Sequence, residues 1–353
     1  MGQVSAKVEN PRVTPYQTPT LTIAIPTFNR APWLELNLLR LAEDYPQLPL
    51  GALEVVVSDN HSTDSTPQVV EAALAAGLPI RYIRNTCDLG SDANIAQCFN
   101  EARGHYVQIM GDDDLYVRGK LSRVVECLQS GEYGVVCLRP YGYEHDSKTE
   151  LPGGGGKTIE YPDVGDFLGA IGPFITFISA CVINREIQSE IDARKFCGSN
   201  LVQVHLVLHA MLRVQPNLFL TDYILACRRN ASGGYDFSEV FVERLGRIMD
   251  GYVSEGLRTL YIRKFEARML TSYHPYYLFR QRLEQRVGVQ ATYQRFATRF
   301  GERPLFRYWA APILWLPRPL ALLWGGLATV IGRAANGDLR RGLYFLLNKV
   351  RRP

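Results

Sequence analysis

A chain of 353 residues, 46% hydrophobic and 21% charged, holds enough material for one large α/β domain with an appendage. A formal net charge of +4 is too small for a general nucleic-acid binder. The seven cysteines are scattered, odd in number and without a CxxC pair, which favours reduced core thiols in a cytosolic protein over disulfides or a zinc site. Residues 1–20 are polar and carry Pro11, Pro15 and Pro19; they read as a loose lead-in, neither signal peptide nor membrane anchor.

The next hundred residues alternate between strand and helix. Leu21 to Ile25 is a buried-strand run stopped by Pro26, with Thr27-Phe28-Asn29-Arg30 as the loop at its C-terminal end. A helical apolar face follows from Trp33 to Leu41. Leu53 to Val57 is the second strand and opens into Ser58-Asp59-Asn60-His61-Ser62-Thr63-Asp64. Thr66 before Pro67 reads as an N-cap, with Gly77 closing that helix. Ile80 to Ile83 is the third strand, and Ser91 caps a helix ending at Gly104. Tyr106 to Met110 is then a fourth strand that stops at Gly111-Asp112-Asp113-Asp114. Such alternation implies parallel strands joined by right-handed crossovers, so the loops at 26–30, 58–64, 84–94 and 111–115 converge on one edge, where ligands bind in open α/β sheets.

Three adjacent carboxylates repel one another. They read either as a solvated acidic turn with Asp114 capping the next helix, or as a site for a hard divalent cation, Mg2+ or Mn2+, bridging to a diphosphate. No glycine-rich dinucleotide loop and no Walker loop is present, so phosphates need another holder. Gly153 to Gly156 lacks the helix start of a phosphate cradle and reads as a flexible loop. Leu218 to Ala226 is a further strand. After it, Arg228 and Arg229 precede Ala231-Ser232-Gly233-Gly234, an arrangement that suits a lid clamping a diphosphate, and equally suits solvated surface charge.

From Val240 to about Phe300 the pattern is helical. Residues 305–331 then turn strongly apolar, broken by Pro312, Pro317, Arg318 and Pro319. The longest uncharged piece, Pro319 to Gly332, is shorter than the ~20 residues a spanning helix needs. Segment 305–331 reads as an in-plane element on an anionic membrane surface, or as helices packed on the catalytic domain or on a second copy in a homodimer. The basic residues from Arg303 to Arg352 crowd the same end.

The ordered set Ile25-Pro26-Thr27-Phe28-Asn29-Arg30, Val57 to Asp64, Asp88-Leu89-Gly90 with Asn94, and Gly111-Asp112-Asp113-Asp114 resembles the successive motifs of family 2 glycosyltransferases with the GT-A fold. The likeness covers residues 20–140, and 178–184 more weakly; it is greatest to the abequosyltransferase-type members of bacterial surface polysaccharide synthesis. It implies a GT-A mixed sheet flanked by helices over residues 21–235 and a helical C-terminal region over 236–353. It further implies that Pro26, Thr27 and Phe28 line a nucleoside pocket, that Asp59 and Asn60 face the base and Asp112 the ribose, and that Asp113 is the principal metal ligand with Asp114 assisting. Asn60 stands where the family usually has aspartate. An amide can donate or accept, so cytosine stays as open as uracil.

The resemblance also implies an inverting transfer from a nucleotide-sugar donor, and an in-plane segment 305–331 would suit a lipid-linked oligosaccharide acceptor on the cytoplasmic face of a bacterial inner membrane. Inverting members use a carboxylate base, and the corresponding stretch, Cys197 to His205, has none. His205 is its one residue with a suitable pKa, Asp192 and Asp222 being outside candidates. His205 and His209 share a helix face but have no third metal ligand nearby. The competing readings are an inactive nucleotide-sugar or glycan-binding scaffold, and a nucleotidyltransferase, which would show a glycine-rich basic first loop.

Overall fold

Four β-branched runs build the centre of the sheet because each is buried on both faces. A computed structural model describes residues 4–9, 18–229 and 235–335. In it β1 (Val4–Glu9), β2 (Leu21–Thr27), β3 (Leu53–Asp59), β4 (Ile80–Asn85) and β5 (Tyr106–Ile109) are interleaved with the helices α1 (Ala31–Asp44), α2 (Thr66–Ala75) and α3 (Ser91–Glu101). Strands β4, β3, β2 and β5 lie side by side and parallel, as the alternation requires. Leu21, Ile23, Ile25, Val55, Val57 and Val107 are wholly buried in this layer.

Past β5 the sheet becomes mixed. β6 (Leu115–Tyr116), α4 (Lys120–Gln129), β7 (Val135–Tyr143), β8 (Thr158–Tyr161), α5 (Val164–Ile171), β9 (Cys181–Asn184), α6 (Val202–Arg213) and β10 (Asn217–Arg228) follow in sequence. β9 runs antiparallel between β5 and β7, β10 pairs parallel with β7, and the short β6 and β8 pair antiparallel with β10. The register of β6 on β10, Tyr116 opposite Leu225 and Leu115 opposite Ala226, folds the segment after the acidic triplet back beside the end of β10.

Three local expectations are corrected. The lead-in is not wholly loose: Val4–Glu9 pairs antiparallel with β4, and its period-two alternation of Val4, Ala6 and Val8 is that of an edge strand. Thr66 is inside α2, whose N-cap is Ser65; Asp64 just ahead of it accepts from the Thr66 N–H at 3.1 Å and hydroxyl at 2.6 Å. Gly90, with φ of 80°, precedes α3 in place of Ser91, and the helix stops at Glu101. Asp64 also accepts from the Ala31 N–H at 2.9 Å, so one carboxylate fixes the starts of both α1 and α2. No disulfide joins any of the seven cysteines.

The described residues fall into two compact units, one within Met1–Phe167 and Phe174–Ser232, the other within Leu168–Pro173 and Gly233–Pro353. The second is helical, with α7 (Leu245–Gly251), α8 (Thr259–Arg268), α9 (His274–Leu283), α10 (Val289–Phe300), α11 (Ala311–Trp315) and α12 (Arg318–Ala335). Leu270, Leu278, Phe296, Phe300, Phe306 and Ile313 form its core. The 231–234 loop and the basic residues from Arg340 onward lie outside the described residues.

His274 is buried in that core, edge-on to Phe296 at 5.0 Å, and burial pushes its imidazole from the ordinary 6.5 down to about 3. The unfolded chain binds this proton between those two values and the folded chain does not. The stabilisation is therefore complete above pH 6.5 and is lost as the pH falls toward 3. Denaturant unfolding at a series of pH values should show the wild type losing about 1.4 kcal/mol per pH unit in that window relative to His274→Phe.

Candidate functional site

The four parallel strands deliver their C-terminal loops to one edge, and the acidic turn sits in the middle of it. Its backbone is held from two sides. The Asn37 amide of α1 donates to the Asp114 carbonyl at 2.7 Å and the Gly111 carbonyl at 3.2 Å. The Ser179 hydroxyl, just before β9, accepts from the Gly111 N–H at 2.9 Å and donates to Asp114 Oδ2 at 2.5 Å. A Cβ on Gly111 would lie 3.0 Å from Asp114 Oδ2 and 3.3 Å from Asp113 Oδ1, so a larger residue there would crowd both carboxylates.

The three carboxylates then take different environments. Asp112 is buried, accepting from the Thr27 hydroxyl at 2.9 Å and facing Arg30 Nε at 3.2 Å. Burial pushes it up to about 6 against the attraction of Arg30. Asp114 turns into the protein toward Ser179, and burial together with the Asp113 charge pushes it up to about 8. This placement differs from the expectation that Asp114 assists Asp113: its side chain belongs to the fold of the turn. Asp113 alone stays partly exposed, and it meets the other end of the Arg30 guanidinium at 2.8 Å.

Arg30 is thus a cation shared by Asp112 and Asp113, and the loop motif identified in the sequence did not single it out. The oxygens it bridges fit a hard divalent cation, which takes carboxylate ligands. Among the described residues no group of three or more His, Cys, Asp or Glu side chains is assembled as a metal site, so a cation here would complete its shell with water and phosphate oxygens. His205 and His209 likewise have no third ligand.

Around this centre, Phe28 is 42% exposed on the loop after β2, and Pro26 is half-buried. Asp59 is fully buried; it accepts from the Ser62 N–H at 2.8 Å and the Tyr82 hydroxyl at 2.6 Å, with Arg84 Nε 3.6 Å away. The Asn60 carbonyl oxygen accepts from Asn85 Nδ2 at 3.1 Å and the Leu89 N–H at 3.0 Å, while its amide nitrogen donates to Asp88. Asn60 therefore fastens the 85–90 loop, on which Asp88 is exposed and also accepts from the Gly90 N–H at 2.8 Å. Asn94 of α3 ties Ser58 on both its backbone and side chain, at 2.9 and 2.6 Å.

Across the edge, Arg228 at the end of β10 lies 3.6 Å above the Trp33 ring of α1 and opposite Tyr143 of β7. The Tyr143 hydroxyl feels the Arg228 charge on one side and the Asp114 and Asp113 charges on the other, though burial dominates and raises its pKa. Arg228 thus belongs to the neighbourhood of the acidic turn. Arg229 instead donates to the Gly142 carbonyl at 2.8 Å and braces the strand end. Gly156 is more than a flexible position: a Cβ there would lie 1.8 Å from the Asp222 N–H nitrogen.

His205, on the first turns of α6, stacks flat on Phe196 with ring centres 4.2 Å apart and planes 7° off parallel. Burial, with His209 and Lys195 nearby, lowers it to about 4, so it is neutral and weakly basic at neutral pH. Asp192 and Asp222, the outside candidates, are both engaged: Asp192 with Arg194 and Asn100, Asp222 with Lys120 at 2.9 Å and Arg123 at 2.8 Å.

Residues 22–187 match the model of glycosyl transferase family 2. Among known proteins, the abequosyltransferase RfbV of Salmonella typhimurium is 33% identical over 120 residues, 34% of this chain and 35% of that one. The GalNAc(5)-diNAcBac-PP-undecaprenol beta-1,3-glucosyltransferase of Campylobacter jejuni is 30% identical over 115 residues, 32% of this chain and 36% of that one. The matched segment spans about a third of the length of these relatives. Among solved structures, S. aureus TarS superposes with a TM-score of 0.60 at 15% identity, covering 90% of this chain and 92% of that one. The mannosyltransferase PcManGT of Pyrobaculum calidifontis, in complex with GDP-Man and Mn2+, gives 0.52 at 17% identity, covering 98% and 90%. These structural likenesses identify the fold, which is GT-A.

The stacked, neutral imidazole makes a direct prediction. His205→Phe, which keeps the ring on Phe196, should leave turnover within a few-fold of wild type. His205→Ala should lower stability by about 1–3 kcal/mol through the lost stack and cavity. Steady-state turnover beside denaturant midpoints for both variants checks this.

Proposed function

We propose, from the match of residues 22–187 to the family 2 glycosyltransferase model and from the GT-A fold, that this chain is a metal-dependent, inverting transferase. It moves a sugar from a nucleotide-sugar donor to a hydroxyl of a polyprenyl-linked glycan, in the assembly of a bacterial surface polysaccharide. The donor class is supported by structural neighbours crystallised with UDP, UDP-GlcNAc and GDP-Man. The acceptor class is supported by the Campylobacter relative, whose name specifies an undecaprenol-diphosphate glycan. Such an acceptor places the work on the cytoplasmic face of the inner membrane, with the protein bound peripherally.

The observation that carries the reading is the bridge from Arg30 to Asp112 and Asp113. Asp113 is the principal ligand of Mg2+ or Mn2+ in this proposal, with Asp112 on its donor side. The cation, when bound, neutralises the diphosphate as it leaves. With a cation held by these carboxylates, Arg30 would be free to meet phosphate oxygens, and Arg228 on Trp33 would supply a second guanidinium from the end of β10. Phe28 and Asp88 form the nucleoside end, Phe28 by its exposed ring and Asp88 by accepting from a base N–H. Asp59, Asn60 and Thr27 hold these loops in place. Asp114, turned to Ser179, sets the shape of the turn that presents Asp113.

The engagement of Asp192 and Asp222 favours one second reading, a protein that binds nucleotide-sugar without transferring it. Slow metal-dependent hydrolysis of a bound nucleotide-sugar in the absence of acceptor would count against it.

Calorimetric titration of the full chain with UDP, CDP, GDP and dTDP, with and without Mn2+, tests the proposal. One nucleotide should bind tightly only with Mn2+, and Asp113→Asn should weaken that binding by roughly a hundredfold, about 2.7 kcal/mol. Arg30→Ala should bind Mn2+ alone more tightly than wild type, while its Mn2+–nucleotide complex is weaker. Nucleotide affinity indifferent to both Mn2+ and Asp113 would refute the assignment.

A further inference from the structure

Helix α12 carries its amphipathicity inside out. Ala321, Gly325, Ala328 and Gly332 form its buried stripe. A Cβ would lie 3.2 Å from Phe279 at Gly325 and 1.8 Å from the Thr271 carbonyl oxygen at Gly332, so small residues are what let the helix close on its own unit. The large side chains lie on the opposite side. Leu320, Leu323, Leu327, Val330 and Ile331 are 44–74% exposed, and Trp315, just before the helix, is 61% exposed. Steps of three, four, three and one place the five aliphatics on a single stripe. A contiguous row of large aliphatic side chains left in water marks a docking surface.

The charge pattern selects the occupant. From Arg303 to Gly337 the sequence holds four arginines, at 303, 307, 318 and 333, and no Asp or Glu. The last eighteen residues, 336–353, add Arg340, Arg341, Lys349, Arg351 and Arg352 against Asp338 alone. A second copy of the same stripe would set like charges against like. An anionic lipid surface complements them. No helix among the described residues is long and apolar enough to cross a membrane, and α12 exposes large apolar groups on one side only, the pattern of a helix lying in the interfacial plane.

We propose that the Leu320–Ile331 stripe of α12, with Trp315 beside it, is the surface by which this protein lies on an anionic membrane. The inference rests on the proposed lipid-linked acceptor for its purpose, while its geometry is that of the helical unit alone.

Flotation of the full chain with vesicles tests it. The wild type should float with vesicles containing about a third phosphatidylglycerol and stay behind with pure phosphatidylcholine. The double variant Leu323→Glu, Leu327→Glu should lose flotation at least tenfold with its circular dichroism and Mn2+-dependent nucleotide binding unchanged. Wild type that floats with neither vesicle overturns the proposal, as does a double variant that floats like wild type. A wild-type dimer that ignores vesicles and that the double variant converts to monomer also overturns it, assigning the stripe to contact between copies. Flotation that persists while no nucleotide binds would leave the membrane surface intact and remove the transferase reading.

Discussion

The site is organised by a charge imbalance at the end of β5. Two like charges about 4 Å apart repel by roughly 4 kcal/mol at an effective dielectric near 20, so three successive aspartates cannot all stay ionised without compensation. The fold relieves this in two ways. Asp114 is buried against Ser179, where its carboxyl is pushed up to about 8 and holds its proton through much of the neutral range. Asp112 and Asp113 share the Arg30 guanidinium. One single charge between two carboxylates leaves the pair net negative, and a divalent cation between the same oxygens would make it neutral. That difference is the physical reason for reading the rim as a place for a metal and a diphosphate.

The surrounding network keeps this turn in one shape. Asn37 reaches it from α1, Ser179 from the segment before β9, and Thr27 from the end of β2, so three elements distant in sequence meet on four residues. Asp64 sets the starts of α1 and α2 together, and Asn94 locks β3 to α3 beside them. The loops that carry Phe28, Asp88 and Arg30 therefore leave a stiff frame. A site needing positioned groups is served by such a frame, because misplacement by even an ångström is costly to rate.

Much of this was legible in the chain. The four buried runs and the loops after them gave the parallel core, and the ordered motifs gave the GT-A family likeness. Strand direction past β5 was not legible, since an apolar run such as Cys181 to Asn184 reads the same in a parallel or antiparallel setting. The role of Arg30 escaped because an arginine in a polar loop carries no signal of a partner 82 residues away. Asn60 looked like a base-reading amide because its fastening to the 85–90 loop is a tertiary fact. His205 looked available because Phe196, which covers it, lies in a segment with no helical period. The N-terminal edge strand had its signal, the alternation of Val4, Ala6 and Val8, as did α12, whose small residues recur at 321, 325, 328 and 332.

The same reasoning that assigns the acidic rim to a cation assigns the α12 stripe to a lipid surface: in each case the fold builds a surface whose cost in isolation is relieved by a ligand of opposite character. The central claim concerns the rim, and anomalous scattering from a crystal grown with Mn2+ and the tightest-binding nucleoside diphosphate tests it most directly. The account predicts a manganese peak coordinated by Asp113, between the protein and the diphosphate, with the Arg30 guanidinium moved off the carboxylates. Bound nucleotide with no peak at Asp113, and Arg30 still bridging Asp112 and Asp113, would contradict it.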